Sequence, residues 1–378
     1  MAPTVVGMPR LVALAASGPS FVARLRQTWD TGDTVLPVDP RLPAPALERL
    51  LAGLAPAVLV DVDGATRILA SSRPTEPGDA LVLSTSGSTG EPKGVVLTHD
   101  AVAASARATS AHLGVDPHAD RWLACLPLSH VGGLSVVTRA LATGTPLVVH
   151  DGFDAAAVEE EARRGATLVS LVATALRRIE PSLFRTVVLG GSAPPAGLPD
   201  NVVTTYGMTE TGSGVVYDGL PLNDVEVRIV DGEIHLRGPM LLRCYRDGHD
   251  PKTDDGWFAT GDGGSLDADG RLTVMGRRGD MIISGGENVW PHAVEEVLAS
   301  HPDVAEVAVA GRPDPEWGQR VVAFVVPADP SFPPALAVLR AFVAEYLPVY
   351  AAPSRLTLVD ALPRTPLGKV ARHRLPDQ

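Results

Sequence analysis

The chain has 378 residues, 45% of them hydrophobic and 20% charged, which is typical of a soluble globular protein with two or three domains. Its formal net charge of −12 argues against a general nucleic-acid-binding protein, because duplex binding needs a basic face. No apolar run approaches the length that spans a bilayer, and the run Leu11–Ala16 is short for a secretory signal, so it is expected to begin the fold. The two isolated cysteines, Cys125 and Cys244, are interpreted as small apolar side chains in a reducing compartment, and the cytoplasm is the expected location.

Up to about residue 210, short apolar segments alternate with helical patterns, which is typical of βαβ units around a largely parallel sheet. Before residue 80 the predicted elements are helices at Phe21–Trp29 and Ala44–Leu54, an extended segment at Val35–Pro40 and a strand at Ala57–Asp61. The strands predicted next are Ala80–Ser84, Trp122–Leu126, Pro146–His150, Leu168–Leu171, Thr186–Leu189 and Val202–Thr205. The helices predicted among them are Ala101–His112, Gly133–Ala142, Ala155–Arg164 and Ala173–Ile179.

The pattern changes after about residue 215. Val225–Val230, Glu233–Arg237 and Leu272–Gly276 alternate like antiparallel strands and predict a small distorted β-barrel or a curled sheet. An α+β pattern follows from residue 280, with helices from Pro291 and at Ala335–Tyr346, and strands at Val304–Ala310, Val321–Val326 and Arg355–Val359. The predicted fold class is α/β: residues 1–278 form a large N-terminal domain of βαβ sheets plus the barrel, and residues 279–378 a small mobile α+β C-terminal domain.

A loop rich in Gly, Ser and Thr follows the apolar strand and runs from Ser84 to Gly94 with the sequence STSGSTGEPKG. Glycines let backbone N–H groups converge on one point, and hydroxyls with Lys93 complete a cradle for an anion. The spacing differs from the common P-loop, in which Lys precedes Ser or Thr at the start of a helix. The strand before this loop and the apolar Val95–Leu97 directly after it argue against a plain Gly/Ser linker.

Three other segments carry polar side chains beside apolar runs. Glu210 is the one carboxylate among the hydroxyls of Thr204–Gly212, which suits a Mg²⁺ ion that keeps several waters. Asp262 and Arg277 together could hold the two hydroxyls of a ribose. His130 lies between an apolar strand and an apolar helix, where it could form the floor of a pocket.

Lysine is rare in this chain. Lys93, Lys252 and Lys369 are the lysines, while arginine carries the remaining positive side chains. Lys93 and Lys369 both lie in segments rich in Gly and Pro, and a compact ammonium on a flexible stem suits contact with a phosphate or carboxylate oxygen. The motifs above favour such a role over a chance position on the surface.

These motifs, in this order from about residue 80 to 375, resemble those of the adenylate-forming superfamily of acyl-CoA synthetases, peptide-synthetase adenylation domains and luciferases. The resemblance implies that ATP and Mg²⁺ bind and that coenzyme A is a co-substrate. It implies Glu210 and Thr85 as metal ligands, and Lys369, His130 and Glu210 as catalytic residues. It further implies ATP contacts from Thr85, Ser86, Gly87, Ser88, Thr89, Gly90, Lys93, Gly191, Ser192, Ala193, Tyr206, Gly207, Thr209, Asp262 and Arg277.

The same resemblance implies two half-reactions: an acyl-adenylate forms with release of pyrophosphate, and the thiol of coenzyme A then displaces AMP. This chemistry needs charge neutralisation and positioning, because a carboxylate must approach a negatively charged phosphate. The C-terminal domain is expected to swivel between the steps about Gly279, with Asp280 as the alternative pivot. Lys369 would then leave the site, and the segment with Gly285, Gly286 and Glu287 would take its place for the CoA step.

Within this superfamily the chain resembles the o-succinylbenzoate–CoA ligases of menaquinone biosynthesis in their short actinobacterial form. The supporting segments are Pro127–Leu134, Tyr206–Gly219 and Ile282–Val289. This resemblance implies an acid with a second carboxylate, bound by His130, Gly133, Arg139, Gly190, Gly207 and Met208. Arg139 would meet the second carboxylate, unless it is only a charge on a helix surface. About 80 residues precede Thr85, so the first subdomain is expected to be shortened.

Other functions stay open at this point. An aryl or medium-chain acyl-CoA ligase would use the same mechanism, a related enzyme would load the phosphopantetheine arm of a carrier protein, and a nucleotide sensor would bind without catalysis. Intact Glu210, Asp262 and Lys369 argue against the sensor. The expected partners are small molecules, with no nucleic acid and no membrane, and the sequence leaves a homodimer open.

Overall fold

The computed structural model describes residues 8–86, 92–195, 197–364 and 370–376, with the backbone alone for Ser86. Its α-helices, in chain order, are α1 (Gly18–Asp30), α2 (Ala44–Leu54), α3 (His99–His112), α4 (Val131–Thr143), α5 (Ala155–Arg163), α6 (Ala173–Leu176), α7 (Pro291–Ala299) and α8 (Leu336–Tyr346). Its strands are β1 (Leu11–Ala15), β2 (Thr34–Val38), β3 (Val58–Val60), β4 (Thr66–Ile68), β5 (Asp79–Ser86), β6 (Pro92–Thr98), β7 (Trp122–Ala124), β8 (Leu147–Val149), β9 (Leu168–Leu171), β10 (Thr186–Leu189), β11 (Val202–Met208), β12 (Ser213–Tyr217), β13 (Leu220–Pro221), β14 (Glu226–Val230), β15 (Glu233–Arg237), β16 (Cys244–Tyr245), β17 (Phe258–Leu266), β18 (Leu272–Arg277), β19 (Ile282–Ser284), β20 (Glu287–Val289), β21 (Val304–Asp314), β22 (Gly318–Pro327) and β23 (Arg355–Leu358).

The first sheet has seven strands in the order β16-β6-β5-β2-β1-β3-β4. Its centre is parallel, since β1 pairs with β2 and β3, and β2 with β5, all in parallel. Every residue of β1 and β2 is buried, as is typical of the continuous apolar strands in a parallel sheet. The apolar run near the N-terminus therefore begins the fold as a strand, and β5 and β6 carry the two sides of the Gly-rich loop.

The second sheet also has seven strands, in the order β13-β12-β11-β10-β9-β7-β8. The strands β8, β7, β9, β10 and β11 lie side by side and pair in parallel. A buried apolar cluster that includes Leu123, Val169 and Val187 packs on this part of the sheet. After β11 the chain turns back into the antiparallel strand β12. Glu210 lies in this turn, at the carboxyl end of a parallel strand, where sites in such sheets commonly form.

The third sheet is open. Its strands follow the order β14-β15-β17-β18, with β14 and β18 at the edges. The predicted small barrel is therefore wrong for the residues that the structure describes. Alternating polarity identifies strands, but closure also depends on strand tilt and stagger, which the alternation does not encode.

The C-terminal sheet has five strands, β20-β19-β22-β21 with β23 beside β22. The long hairpin of β21 and β22 is antiparallel, and β23 joins it in parallel. Helices α7 and α8 contribute Val294 and Leu339 to its core, which also contains Ala323. The predicted fold class is thus confirmed: large sheets with helices, followed by a smaller α+β part.

The chain divides into two compact units. Within the described ranges, one contains the residues up to Val227 together with Leu236–Ala259, and the other contains Arg228–His235 and the residues from Thr260 onward. The domain boundary expected at residues 278 and 279 lies inside the second unit and stays a prediction. None of the helices in the described ranges is both long enough and apolar enough to span a membrane.

Both cysteines are buried, as the sequence predicted. Cys125 follows β7 in the core of the second sheet, and Cys244 lies in β16. Burial raises the pKa of the Cys125 thiol to about 12, and burial also raises the pKa of Cys244.

Candidate active site

Five residues of the predicted site lie outside the described residues: Gly87, Ser88, Thr89, Gly90 and Lys369. Most of the others belong to the first compact unit. Those that belong to the second unit are described on their own below, and are Asp262, Arg277, Gly279, Gly285, Gly286 and Glu287.

The two strands beside the Gly-rich loop hold Thr85 and Lys93 directly opposite each other. Thr85 Oγ1 donates to the Lys93 carbonyl oxygen at 3.5 Å, and the Lys93 side chain is exposed. Gly94 follows, and a Cβ atom there would lie 2.8 Å from side-chain atoms of Arg246 and Leu54. Glycine at this position therefore allows a close approach, while the lysine before it stays accessible.

Tyr245 connects Lys93 with Glu210. The Lys93 Nζ atom lies 5.5 Å from the centre of the Tyr245 ring, and the Tyr245 hydroxyl donates to Glu210 Oε1 at 3.0 Å. The sequence analysis missed Tyr245, which is 35 residues away from Glu210 in the chain and belongs to none of the motifs. Pairing of β16 with β6 sets Tyr245 opposite Val95 and so brings it to the site.

The turn that carries Glu210 is stabilised by a buried hydroxyl. Thr211 Oγ1 accepts from the Met208 N–H group at 2.9 Å and donates to the Ser213 carbonyl oxygen at 2.6 Å. At Gly207 a Cβ atom would collide with the Ser213 carbonyl oxygen, so this glycine is needed for the hairpin. These contacts hold Glu210 at one place, half-buried at the end of the sheet.

Several residues that were predicted to contact ATP or the acid meet at the carboxyl ends of β10 and β11. Leu189 pairs with Thr204 in the parallel register, so Gly190 lies beside Thr205, and a Cβ atom at Gly190 would be 2.7 Å from Thr205 Oγ1. Beyond them, the loop with Gly191, Ser192 and Ala193 is exposed, and Tyr206, Met208 and Thr209 are half-buried. The structure therefore brings these predicted residues to one edge of the second sheet.

His130 is the residue directly before α4 and is half-buried. A hydrogen bond from Arg41 is the main influence that keeps the pKa of Asp39 below its ordinary value, and the charge of His130 lowers it further. His130 thus lies within electrostatic range of the carboxylate of Asp39, which directly follows β2. Gly133, one turn further, has a packing reason of its own, because a Cβ atom would lie 2.5 Å from the carbonyl oxygens of the preceding loop.

Arg139 is buried inside α4, with 2% of its surface exposed, so the alternative that it is a helix-surface charge is wrong. Its guanidinium donates to the hydroxyls of Ser170, at 3.3 Å, and Ser213, and lies 5.5 Å from the centre of the Trp122 ring. Its Nε atom is buried without a hydrogen-bond partner. Since Ser213 begins β12, Arg139 lies against the same hairpin that carries Glu210.

The donor set around Glu210 fits Mg²⁺ better than a softer metal. The Tyr245 hydroxyl donates to one carboxylate oxygen of Glu210, and a carboxylate is a hard oxygen ligand. In the described ranges, no three His, Cys, Asp or Glu side chains form a metal cage. Mg²⁺ commonly binds through one or two carboxylates, waters and substrate phosphates, and does not require such a cage. Thr85 as a second ligand stays a prediction.

In the second unit, Asp262 and Arg277 face each other across β17 and β18. Arg277 Nε lies 3.1 Å from Asp262 Oδ1, and its Nη1 group donates to the Thr260 carbonyl oxygen at 3.0 Å. Asp262 is 6% exposed, whereas Arg277 is largely exposed. A carboxylate held in one orientation by a neighbouring guanidinium is suited to accept hydrogen bonds from a diol.

Gly279 lies in the single helical turn Arg278–Asp280, and a Cβ atom there would meet nothing within 4 Å. Arg278 pairs with Glu233 at 2.6 Å, and Asp280 lies 3.5 Å from the Arg372 guanidinium. The observed conformation therefore does not itself require glycine at 279.

Gly285 and Gly286 form the tip of the hairpin of β19 and β20, with φ of +61° and +87°. Gly285 donates its N–H to the Trp317 carbonyl oxygen at 2.9 Å, and a Cβ atom there would lie 2.6 Å from the Trp317 ring. Glu287, which pairs with Ser284, is exposed. The predicted CoA-step residues thus share one exposed hairpin beside an aromatic side chain.

Family models match most of the chain. One that is described as AMP-binding enzyme matches residues 10–246, and one that is described as AMP-binding enzyme C-terminal domain matches residues 293–369. Among similar proteins is the probable 2-succinylbenzoate–CoA ligase of Mycobacterium tuberculosis strain H37Rv, which is 40% identical over 360 residues, 88% of this chain and 93% of the relative.

Similar solved structures include the o-succinylbenzoate CoA synthetase of Bacillus subtilis in complex with its acyl-adenylate intermediate. That structure has a TM-score of 0.85 and 30% sequence identity, over 98% of this chain and 88% of the other. The structure of the same synthetase with ATP and a magnesium ion has a TM-score of 0.84 and 30% identity, over 97% and 89% of the two chains.

Proposed function

Because the chain belongs to the family of AMP-binding enzymes, we propose that it joins o-succinylbenzoate to coenzyme A through an acyl-adenylate, as a step of menaquinone biosynthesis. The enzyme is an AMP-forming acid–thiol ligase, and its products are o-succinylbenzoyl-CoA, AMP and pyrophosphate. Its small-molecule partners are the acid, ATP and coenzyme A, and it uses Mg²⁺. ATP and coenzyme A are both supplied in the cytoplasm, which supports the expected location.

The observation that carries the choice of acid is the buried guanidinium of Arg139. Its protein partners are hydroxyls, and no carboxylate in the described ranges pairs with it. A buried charge without a counter-charge costs several kcal/mol, so an anionic ligand would remove a large penalty. o-Succinylbenzoate has two carboxylates: one is activated, and the other keeps its charge and needs a cation.

In the first half-reaction, an oxygen of the acid's carboxylate forms a bond with the α-phosphorus of ATP, and the bond from that phosphorus to pyrophosphate breaks. The chain contributes charge and position to this step. Lys93 and the Gly-rich loop would bind phosphates, Asp262 with Arg277 would hold the ribose, and Lys369 would bridge the carboxylate and the α-phosphate. Mg²⁺ held by Glu210 would supply further positive charge at the phosphates.

In the second half-reaction, the thiol of coenzyme A loses its proton to solvent, its sulfur attacks the acyl carbon, and AMP leaves with the electron pair of the broken acyl–phosphate bond. A swivel of the C-terminal domain about Gly279 would first remove Lys369 and present the hairpin with Gly285, Gly286 and Glu287. A homodimer stays a prediction, as does the absence of nucleic-acid and membrane partners.

Arg139→Met tests the proposed substrate, because it removes the charge but keeps an unbranched side chain. With o-succinylbenzoate, kcat/KM is expected to fall about 100-fold, since loss of one partner of a buried charge pair costs about 2–5 kcal/mol. An analogue of the acid without the second carboxylate serves as the matched control, and with it the substitution should lower kcat/KM only slightly. Pyrophosphate release measures both.

An equal loss with both acids would contradict the assignment of Arg139. The closest alternative, an aryl or medium-chain acyl-CoA ligase, would be favoured if the unmodified enzyme released pyrophosphate with benzoate or a fatty acid and not with o-succinylbenzoate. An enzyme that loads a carrier protein would instead transfer the acyl group to a phosphopantetheine arm and not to free coenzyme A.

A further inference from the structure

Lys252 has no part in the proposed reaction, yet it is held by three short contacts. Its Nζ atom lies 2.7 Å from the Leu242 carbonyl oxygen, 2.9 Å from the Arg243 carbonyl oxygen and 2.7 Å from Asp250 Oδ1. An ammonium has three protons on one nitrogen, and these acceptors engage all of them. A planar guanidinium cannot direct three donors from a single atom, which explains lysine at this position. The contacts close residues 242–252 into a compact segment, which we call the strap.

Backbone hydrogen bonds join the strap both to the turn that carries Glu210 and to β6, the strand that contains Lys93. The Leu242 N–H group donates to the Glu210 carbonyl oxygen at 2.7 Å. The Arg243 N–H group donates to the Val96 carbonyl oxygen at 2.9 Å, and the Arg246 N–H group donates to the Gly94 carbonyl oxygen at 2.7 Å. One short segment therefore fixes the turn with Glu210 against β6, the strand that contains Lys93.

We propose that Tyr245, which belongs to the strap, is a positioning residue that orients the Glu210 carboxylate and the Lys93 ammonium for binding of the metal–nucleotide complex. This inference rests on the proposed function and adds a residue to it. The Tyr245 hydroxyl donates to one oxygen of Glu210, and such a hydrogen bond fixes which oxygen faces a metal. The ring also offers its electron-rich face to Lys93, and its other neighbour, His249, lies nearly parallel with the ring centres 6.2 Å apart.

The two contacts of Tyr245 support each other. A cation over the ring face draws electron density from the phenol, which makes its hydroxyl a better donor to a carboxylate. Tyr245 therefore couples a positive group for phosphate to a negative group for metal, although neither belongs to its own strand. Separate variants can test the two contacts, since the hydroxyl serves Glu210 and the ring serves Lys93.

Tyr245→Phe removes the hydroxyl and keeps the ring. Titration calorimetry of ATP into the full-length chain, with Mg²⁺ or with EDTA, separates metal-dependent from metal-independent affinity. The gain in ATP affinity on adding Mg²⁺ is expected to fall about 10-fold, as for other residues that orient metal ligands, while the affinity in EDTA stays unchanged. Tyr245→Leu removes the ring as well and should also weaken ATP binding in EDTA about threefold, because Lys93 loses its aromatic contact.

Tyr217→Phe is the matched control. Tyr217 is fully buried, and its hydroxyl lies 3.1 Å from Thr109 Oγ1, so the variant loses a tyrosine hydrogen bond that does not involve Glu210. In this variant, the affinity for ATP is expected to stay unchanged both with Mg²⁺ and with EDTA. If Tyr245→Phe keeps the Mg²⁺-dependent gain, or loses affinity equally with Mg²⁺ and with EDTA, the role of Tyr245 is overturned.

Glu210→Gln distinguishes failure of this inference from failure of the proposed function. If Glu210→Gln abolishes the Mg²⁺-dependent gain while Tyr245→Phe retains it, the metal assignment stands and the inference alone is rejected. If the unmodified chain gains no ATP affinity from Mg²⁺, the metal assignment fails and takes the inference with it.

Discussion

Arg139 and Asp120 are two buried charges that this chain stabilises by different means. Arg139 contacts hydroxyls and an aromatic ring, and in the described ranges no carboxylate pairs with it. Asp120 is 5% exposed, and its carboxylate accepts hydrogen bonds from protein groups: the guanidinium of Arg185 at 2.9 and 2.8 Å, the hydroxyl of Thr167 at 2.8 Å and the Asp116 N–H group at 3.0 Å. The first arrangement suits binding of a substrate, and the second suits stability.

The stability that Asp120 provides is expected to depend on pH. Burial acts to raise the pKa of Asp120, but hydrogen bonds from Arg185, the Asp116 N–H group and Thr167 hold that pKa below its ordinary value. A carboxyl with a lower pKa in the folded state stabilises the protein fully above its unfolded pKa of about 3.9, and this stabilisation is lost as the pH falls through the folded pKa. Asp120→Asn should therefore lower the free energy of unfolding by about 1–3 kcal/mol at pH 7 and by less below about pH 4.

Urea denaturation at several pH values measures this difference. Asp254→Asn, at an exposed aspartate, is the control and should change the free energy of unfolding little. A deficit for Asp120→Asn that stays constant from neutral to acidic pH would contradict the argument.

Sequence reasoning singled out candidate residues that stand in dense polar motifs, such as Glu210 and Lys93, because loops rich in Gly and hydroxyls are unusual after apolar strands. It did not find Tyr245, since its position depends on the pairing of the two-residue strand β16 with β6. One signal was present: Lys252, a rare lysine seven residues later, holds the segment in place. A single sequence does not reveal that this lysine contacts two backbone carbonyls of the strap.

The hairpin of β19 and β20 shows that neighbouring glycines can be required for different reasons. Both have positive φ, as a two-residue hairpin turn of this kind demands. At Gly285 a side chain would also collide with the Trp317 ring, whereas at Gly286 no atom lies within 4 Å of the Cβ position.

Gly285→Ala and Gly286→Ala therefore form a matched pair. Each should strain the backbone by about 1–2 kcal/mol, but Gly285→Ala must also displace Trp317. If the hairpin serves the CoA step, thioester formation from supplied o-succinylbenzoyl-AMP should fall about tenfold more in Gly285→Ala, with adenylate formation nearly unchanged in both. Quenched time courses of adenylate formation and of thioester formation measure these rates. Equal rates of thioester formation in the two variants would refute the role of the Trp317 contact.

Most strands of the two large sheets could be predicted, because β9 and β10 are short apolar runs between helical patterns. β17 was missed. It contains Gly261, Gly263 and Gly264, and glycine weakens an isolated strand. A Cβ atom at Gly263 would collide with the Trp290 ring, so tertiary packing against bare backbone favours this strand. Such packing is invisible in local periodicity.

At the scale of the whole molecule, the sequence predicts one domain boundary at residues 278 and 279, whereas the two compact units divide the chain at other positions. The matched family segments end at residue 246 and resume at residue 293, while the second compact unit already includes Arg228–His235 and the residues from Thr260 onward. Length and pattern predicted a large and a small part correctly. Where a chain pivots depends on the difference between two conformations, which neither composition nor a single fold contains.

Lys369→Ala tests the swivel directly. Loss of this charge should slow adenylate formation about 100- to 1,000-fold, as for removal of one group that stabilises a transition-state charge. Thioester formation from supplied acyl-adenylate should be largely spared, because Lys369 is expected to leave the site before that step. Arg374→Ala removes an exposed positive charge from the same terminal segment and should affect neither step. Equal losses in both half-reactions of Lys369→Ala would contradict the swivel.

The burial of both thiols makes coenzyme A easy to follow by its own sulfhydryl. Each turnover consumes one such group, and a colorimetric disulfide reagent added to samples counts what remains. Since Cys125 and Cys244 are buried and the pKa of Cys125 is about 12, the native protein presents almost no thiolate to that reagent. Denatured protein would add two reactive groups per chain, so a rise in colour, opposite to the fall caused by turnover, reports enzyme that has lost its native structure during an assay.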